Sequence, residues 1–583
     1  MQTWRGLAAL SLLALVCAVT RAQTPAAVPL PVARQQFFDS SGRPLAGGKI
    51  YTYAAGTSTP LATYTDGTGT VANSNPVILD AGGFGSLWVK VGVYKMVVQN
   101  SAGVLQWSAD NVTNLSGSGS LSAANITFTA SGGGVSQSVA NRLGQTYYAS
   151  DFGAVGNNVT DDSGAINTGL GNASGKRLVV SPSTVGYYIN GNLSISANST
   201  LELGAGNYRL GATGQITLAG TGSKLVCPAG PEATVITVPL SYTPTTGAIV
   251  LSSGEPAGTV EGCQIAFTQA DTSTRATLTR AAWAISAPAQ ARARIRNVKI
   301  VRAWNGIDLS SNAGGATVSD VQISSFNIGL FIDGAQDTIR VSQYHWWPFG
   351  LTTNQSNAMY DTVNSFGMYV GRVDGLLIDS SLFFGGQALG LIAGSGGGAP
   401  IVFISNSAFD TFGGIKQYAG RCSVADSYFT LARTGVNAIN VSGLSSMTVA
   451  SSFFFLGVTG STAPVVSVTA GAEFNGTGNV FAKINTYDTT QVYGAGAISK
   501  LVLTGNTFEN YGGGGTYTNP LIQIDAGARL IASDNHFTDL AGSGIGIKIA
   551  ADGGHILHDN VLVGWSLNLP GGYTTMKVHD NIP

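Results

Sequence analysis

Charge is what this chain has least of. Asp, Glu, Lys and Arg together make up 10 % of 583 residues, and the formal net charge is −1. A nucleic-acid surface needs clustered lysine and arginine to neutralise phosphates, so no nucleic acid is expected as a partner. Cysteine is scarce, with four in the chain. The five histidines, His345, His536, His555, His558 and His579, are scattered, and no Cys/His spacing fits a metal. Neither a metal nor another cofactor is expected. No apolar run beyond the N-terminus reaches about 18 residues, so no membrane span is expected. In their place stand 79 glycines, many Ser, Thr and Asn, and 44 % hydrophobic residues in short β-branched runs. Neutral polar groups keep such a chain in solution while the short runs supply a large core, which suits a solenoid with many tight turns.

Residues 1–22 carry Arg5, an apolar run from Leu7 to Val19, and Thr20-Arg21-Ala22 before Gln23. These are the charged, apolar and small-residue regions of a secretory signal, cut after Ala22, and they predict a secreted or cell-surface protein. Cys17 follows Val16, which does not suit a lipid-attachment site. In an oxidising compartment, if one disulfide forms it joins Cys227 to Cys263; the plainer expectation, shared with Cys422, is single cysteines stacked in a core as small hydrophobes.

A Pro-rich linker over 23–35 leads to a compact segment, 36–113, of short alternating strands with turns at Asp66-Gly67, Ala81 to Gly83 and Asn100 to Gly103. The spacing predicts a small antiparallel β adaptor. Over 114–147 the chain thins to Ser, Gly and Ala, a linker in which Val135, Val139 and Leu143 mark one face of a short helix. Next, Asp161 and Asp162 follow Thr160 and precede Ala165, Ile166 and Leu170, so a polar cap opens a short helix that can lie over the end of a stacked sheet.

From 148 to 583 one phrase recurs: apolar-x-apolar-x-x-Asn/Ser-x-Phe, as in IDSSLFF, FISNSAF, SVADSYF, TVASSFF, VLTGNTF and IASDNHF. Its Asn/Ser position, Ser381, Ser407, Ser427, Ser452, Asn479, Asn506, Asn535 and Asn560, repeats every 20 to 29 residues. That is one coil of a parallel β-helix. A second phrase, in NGIDL, IGLFI and GIGIKI, supplies another strand per coil. Roughly 420 residues at about 25 per coil give about 17 coils and about 80 Å of rod. Equivalent Phe and Asn side chains should then stack one strand spacing apart.

Two resemblances sharpen this reading. Asp151-Phe-Gly-Ala-Val-Gly followed by Thr160-Asp161-Asp162 resembles the opening segment of the pectate-lyase-like right-handed parallel β-helix superfamily, with Asn157-Asn158 in place of its Asp-Gly pair. This implies an all-β fold, a single-stranded right-handed parallel β-helix, with both aspartates structural. The stretches Gly42 to Tyr53, Asn75 to Gly82 and Trp107 to Val112 resemble the head-binding domain of phage tailspikes, and GGGVSQSVANRLGQ resembles the neck that follows it. They imply an anchoring module and a homotrimer. The polygalacturonase signature of Asn-x-Asp, Asp-Asp and Gly-His-Gly on successive coils is absent, as is the acidic calcium cluster of pectate lyases.

Alternation along each phrase points Leu377, Phe403, Val502, Ile531 and Leu557 outward, an apolar stripe interrupted by Ser423 and Thr448 that a neighbouring solenoid or a folded-back loop would cover. His536 shares a coil position with Ala408, Tyr428 and Thr507 and is read as structural. The segment Gln343 to Gly375 is expected to loop out of the coil rhythm. Its Tyr344, Trp346, Trp347, Tyr360, Tyr369 and Arg372 are candidate substrate-binding residues, because aromatic faces stack on sugar rings and Arg takes carboxylates. Asp361, Asp374 and the loop residue Asp410 are candidate catalytic residues, since two carboxylates can cut a glycosidic bond. The expected partner is a polysaccharide, bound and depolymerised by a lyase or glycoside hydrolase. The alternatives are a non-catalytic adhesin or structural rod, and a prophage-derived receptor-binding protein that keeps its hydrophobic N-terminus.

Overall fold

A computed structural model describes residues 28–113, 127–129, 135–252, 254–431, 434–456, 462–484, 488–511, 517–539 and 544–582. Residues 1–22, read above as a secretory signal, lie outside the described residues. The chain divides into two compact units, one through Asn141 and one from Arg142 onward.

In the first unit, Lys49–Ala54 pairs antiparallel with both Val77–Ile78 and Val93–Gln99, and Leu105–Thr113 completes a four-stranded sheet. Val28–Gln36 pairs separately with Phe84–Val89. Alternation in FGSLWV turns Leu87 inward, where Phe37, Leu45, Ile50, Leu79, Met96 and Val98 meet it. Asp80 and Asn100 close two of the expected turns by accepting amide hydrogens from Gly82 and Phe84, and from Ala102 and Val104. The expected helix face is shorter than its spacing implied. The helix is Val139–Leu143, and Val135 precedes the strand Ser136–Ser138, which pairs with Thr127–Thr129.

The second unit is a right-handed parallel β-helix, a continuous 43-stranded sheet wound on itself. Each coil contributes to three faces. The first runs from Thr146–Tyr148 to Lys577–His579, the second from Asn157–Asp161 to Val561–Val563, and the third from Asn192–Ile195 to Trp565–Asn568. The opening helix is Ser163–Asn172, with Ile166 and Leu170 buried on Leu178 and its neighbours. The two aspartates divide the work differently from the expected first-turn pair. Asp161 accepts from the Ser163 amide and hydroxyl and from the Asn190 amide. Asp162 is buried at the N-cap and binds back to the Val155 and Gly156 amides.

The corner between the first and second faces explains the recurring phrase. Ser380, Asn406, Asp426, Ser451, Asp534 and Asp559 each take φ of +49° to +56°, which turns the chain sharply and points the next residue inward. That next residue is the Ser or Asn rung. The Ser381 amide donates to Ser407 Oγ, Ser407 to Ser427, Ser427 to Ser452, Ser452 to Asn479, and so on through Asn506, Asn535 and Asn560 to Asn581, at 3.0 to 3.3 Å. Every buried corner amide in this file thereby has an acceptor. Two residues later the phenylalanines stack in the core: Phe383, Phe409, Phe429, Phe454, Phe481, Phe508 and Phe537, ring centroids 4.6 to 5.2 Å apart and planes within 3° to 9°.

Three expectations need correction. Cys227 and Cys263 are joined in a disulfide rather than stacked as free thiols; among the described residues Cys422 is the free thiol, and it is buried. Leu557 points inward and is fully buried. The register puts Ile556, not Leu557, beside Ile531 in the outward file. Leu377 and Phe403 do face out, 40 % and 49 % exposed. Gln343 does not begin a loop, because the strand Ala335–Trp346 carries the coil through Trp346 before the chain leaves it.

Candidate functional site

Two insertions leave the corner between the second and third faces three coils apart, one around residues 268–282 and one around 347–365. The second contains the helix Thr353–Met359, opened by a Thr352/Gln355 capping box. They are pinned together: Gln355 Nε2 donates to Ala270 O (3.0 Å) and Thr352 Oγ1 to Asp271 Oδ1 (2.5 Å). Gln355 is buried.

This geometry separates the sequence candidates into three groups. Tyr344 and Trp346 are core residues with no exposure. Tyr344 donates its hydroxyl to Gly367 O at 2.7 Å and packs on Phe383, and Trp346 Nε1 donates to Ser325 Oγ. Neither can stack on a sugar. The physical reason is the two-residue alternation that carries every other rung and Phe inward.

Trp347, Tyr360, Asp361 and Asp410 form the second group. Trp347 packs on Phe384 at 4.2 Å, Phe384 meets Tyr360 at 5.7 Å, and Tyr360 meets Phe412 at 4.4 Å. Asp410 follows Phe384 in the same outward file, since Phe383 pairs with Phe409. Asp361 closes its own turn, accepting from the Val363 and Asn364 amides and from Asn364 Nδ2, and lies 3.4 Å from Arg275 Nε. Burial raises its pKa, but these hydrogen bonds and Arg275 outweigh it and hold the carboxyl below the ordinary carboxylate range. Asp410 is the opposite case. It is half-buried, and burial alone raises its pKa.

Tyr369, Arg372 and Asp374 lie further round the coil. Arg372 Nε is 3.6 Å from Asp374 Oδ1, both at the start of the first face. Tyr369 belongs to the third face and to a cluster that the sequence reading missed. Trp283 stacks near Phe331 (6.1 Å, 13°), Phe331 near Tyr369 (6.2 Å), and Tyr369 on Phe366 (4.9 Å), all partly exposed. The file continues from Tyr369 through Gly390 to Lys416. A Cβ on Gly390 would sit 2.9 Å from Tyr369 Cδ2 and 3.0 Å from Phe366 Cε1, so the glycine lets both rings lie down on the sheet. The result is an aromatic ledge.

Cations border the ledge. Lys416 Nζ donates to Thr362 O at 2.8 Å; burial lowers its pKa, opposed by Asp361. Arg275 reaches Asn364 O at 3.0 Å. Thus Asp361 is the counter-charge between Arg275 and Lys416. A groove of about 410 Å³ opens beside it, lined by Arg275, Asn357, Tyr360, Asp361 and Val363 among others.

No family model matches the chain, and no curated protein matches it. Among solved structures, a tailspike mutant of E. coli bacteriophage HK620 in complex with pentasaccharide covers 79 % of this chain and 82 % of its own at 11 % identity and TM-score 0.44. The catalytic unit of a GH87 α-1,3-glucanase from Streptomyces thermodiastaticus covers 94 % and 90 % at 12 % identity and TM-score 0.34. The Azotobacter vinelandii mannuronan C-5 epimerase AlgE4 A-module covers 72 % and 100 % at 15 % identity and TM-score 0.36. Scores at this level carry no residue role across to this chain.

Proposed function

We propose that this protein binds a polysaccharide along the third face. The observation that supports the reading is the ledge itself: four partly exposed rings, Trp283, Phe331, Phe366 and Tyr369, in one run on a rigid sheet with Arg275, Asp361 and Lys416 at its edge. Sugar rings offer flat C–H faces to aromatic planes and hydroxyls to the charged edge. Retention of the protein on immobilised bacterial exopolysaccharides tests this. Phe331→Ala and Tyr369→Ala should each reduce retention at least about tenfold, one stacked ring being worth about 1 to 3 kcal/mol. Undiminished retention in both would remove the ledge from the account.

A second reading adds cleavage. Asp410, raised by burial, and Asp361, held charged, are carboxyls pushed in opposite directions on one side of the aromatic cluster, the division of labour that a proton donor and an anionic partner need. Incubation with exopolysaccharides and pectins, scored for new reducing ends and for 4,5-unsaturated uronates, distinguishes hydrolase from lyase. Asp410→Asn should abolish either product. Binding with no product from any glycan supports the adhesin or structural rod instead.

Export rests on residues 1–22, and N-terminal sequencing of the mature protein tests it; survival of that segment favours the prophage-derived receptor-binding protein. The proposed modular plan is a linker over 23–35, whose residues from Val28 on pair with Phe84–Val89 as a strand of the adaptor, then an anchoring adaptor over 36–113, a neck over 114–147 and the solenoid from 148. A homotrimer assembled through adaptor, neck and the Leu377/Phe403 stripe should give three chain masses by light scattering.

A further inference from the structure

Upstream of the ledge, where Trp283 begins the aromatic run, lies a separate cavity of about 330 Å³ lined by Tyr242, Thr243, Arg280, Trp283, Trp304 and Asn305 among others. Its chemistry differs from that of the ledge. Two guanidiniums, Arg275 and Arg280, stack on the one indole of Trp304, at 4.8 and 5.1 Å from the ring centroid. Two like charges held on one ring repel each other and gain from an anion placed between or beside them. Arg275 has Asp361 as counter-ion, and its buried Nη1 has no hydrogen-bond acceptor among the described residues. Arg280 is exposed and makes no ion pair among the described residues. The nearest other carboxylate on these insertions, Asp271, is engaged by Thr352. Asn305 is held by Asn327 Nδ2 at 2.8 Å, and Tyr242 donates its hydroxyl to Gly247 O, so the polar wall is fixed in place. The cavity therefore combines a free, planar, bidentate cation with an aromatic wall and amide and hydroxyl groups.

We infer that this cavity is a subsite for one acidic sugar residue, its ring against Trp283 and its carboxylate on Arg280. The inference rests on the ledge reading for the rest of the chain of sugars, but it has its own readout. Arg280 determines specificity: it selects an anionic residue at one end of a run that is otherwise bound by stacking.

The test titrates glucuronate, glucose 6-sulfate and glucose into the full chain and follows ligand saturation-transfer signals. Glucuronate should bind in roughly the millimolar range and at least about tenfold more tightly than glucose. Arg280→Gln should bring the two within about twofold with an unchanged melting temperature, and Arg280→Lys should keep part of the preference, because it retains charge without the fork. Equal binding of glucuronate and glucose, or a preference that survives Arg280→Gln, overturns the inference. A preference for the sulfate, lost in Arg280→Gln, overturns the carboxylate and assigns the subsite to a sulfate ester. Phe331→Ala keeps the two readings apart. It should reduce polysaccharide retention and leave the glucuronate preference intact, so failure of the ledge shows in retention and failure of the subsite shows in the titration.

Discussion

Replacing Asn506 with leucine removes one rung of the polar file while keeping nearly the same volume. Asn506 Oδ1 accepts from the Asn479 amide and from Asn479 Nδ2, both at 3.0 Å; its Nδ2 donates to Gly476 O and to Asn535 Oδ1, both at 2.9 Å. All of this is buried. Asn506→Leu therefore strands the Asn479 amide, takes one of the two acceptors from Asn479 Nδ2, which keeps Val449 O, and removes a donor from Gly476 O. At about 1 to 3 kcal/mol for each buried group left without a partner, the local cost is about 2 to 5 kcal/mol. Asn506→Ser is the internal control. Ser427 and Ser452 fill the same position on earlier coils, where Oγ accepts the neighbouring amide and donates within its own coil. Serine at 506 should keep the Asn479 amide bonded and cost only about 1 kcal/mol. Because a long stack need not unfold in one step, hydrogen exchange at the Asn479 amide is the proper assay. It should lose roughly two orders of magnitude of protection or more in the leucine variant and about tenfold in the serine variant. Equal protection in the two variants would refute the claim that this file is held by amide acceptance rather than by shape.

Three further outcomes follow from the same structure. At Gly169 a Cβ would meet Leu178 Cδ1 at 2.7 Å and Phe152 at 3.0 Å, so Gly169→Ala should lift the opening helix and cost about 1 to 3 kcal/mol despite alanine's better helix propensity, read as a lower melting temperature. His555 Nδ1 accepts the Leu530 amide while Nε2 faces Ala551 O, which fixes a neutral imidazole, and burial lowers its pKa. The unfolded chain then takes up a proton near pH 6.5 that the fold refuses, so exchange protection in the last coils should fall from pH 7 to pH 5, an effect His555→Gln should remove. Reducing the Cys227–Cys263 bond frees a 36-residue separation; chain entropy puts this at about 4 kcal/mol, visible as earlier unfolding of the upstream coils in guanidinium with reductant.

The coil rhythm was legible from residue 378 onward because hydroxyl or amide rungs and phenylalanines recur two positions apart. It became illegible at Gln343-Tyr344-His345-Trp346 because both markers change identity while keeping their places. Gln343 has the left-handed φ of Ser380, and the Tyr344 amide donates to Ser381 Oγ as one rung to the next. Trp346 pairs with Phe383 at the head of the aromatic stack. Pattern matching by residue type saw an aromatic cluster. Matching by position would have read QYHW as SSLF and placed Tyr344 and Trp346 inside. The ledge was missed for a related reason. IGLFI and FGMYV share one alternation that turns Phe331 and Tyr369 outward, but a lone outward aromatic per strand is unremarkable until strands are stacked in register.

The low charge of the chain gives the site its definition. With so few cations available, Arg275, Arg280 and Lys416 converging on the second-to-third corner are a concentration, and two of them meet partners 52 and 54 residues away that sequence spacing does not reveal: Arg275 meets Asn327, and Lys416 meets Thr362 of the second insertion. Arg275 and Arg280 are placed by the pinning of one insertion on the other, through buried Gln355 and through Thr352. Removing the buried donor by Gln355→Leu should leave the coils intact and loosen both insertions together. Ledge binding and the Arg280 preference would then fall in parallel, whereas Phe331→Ala separates them.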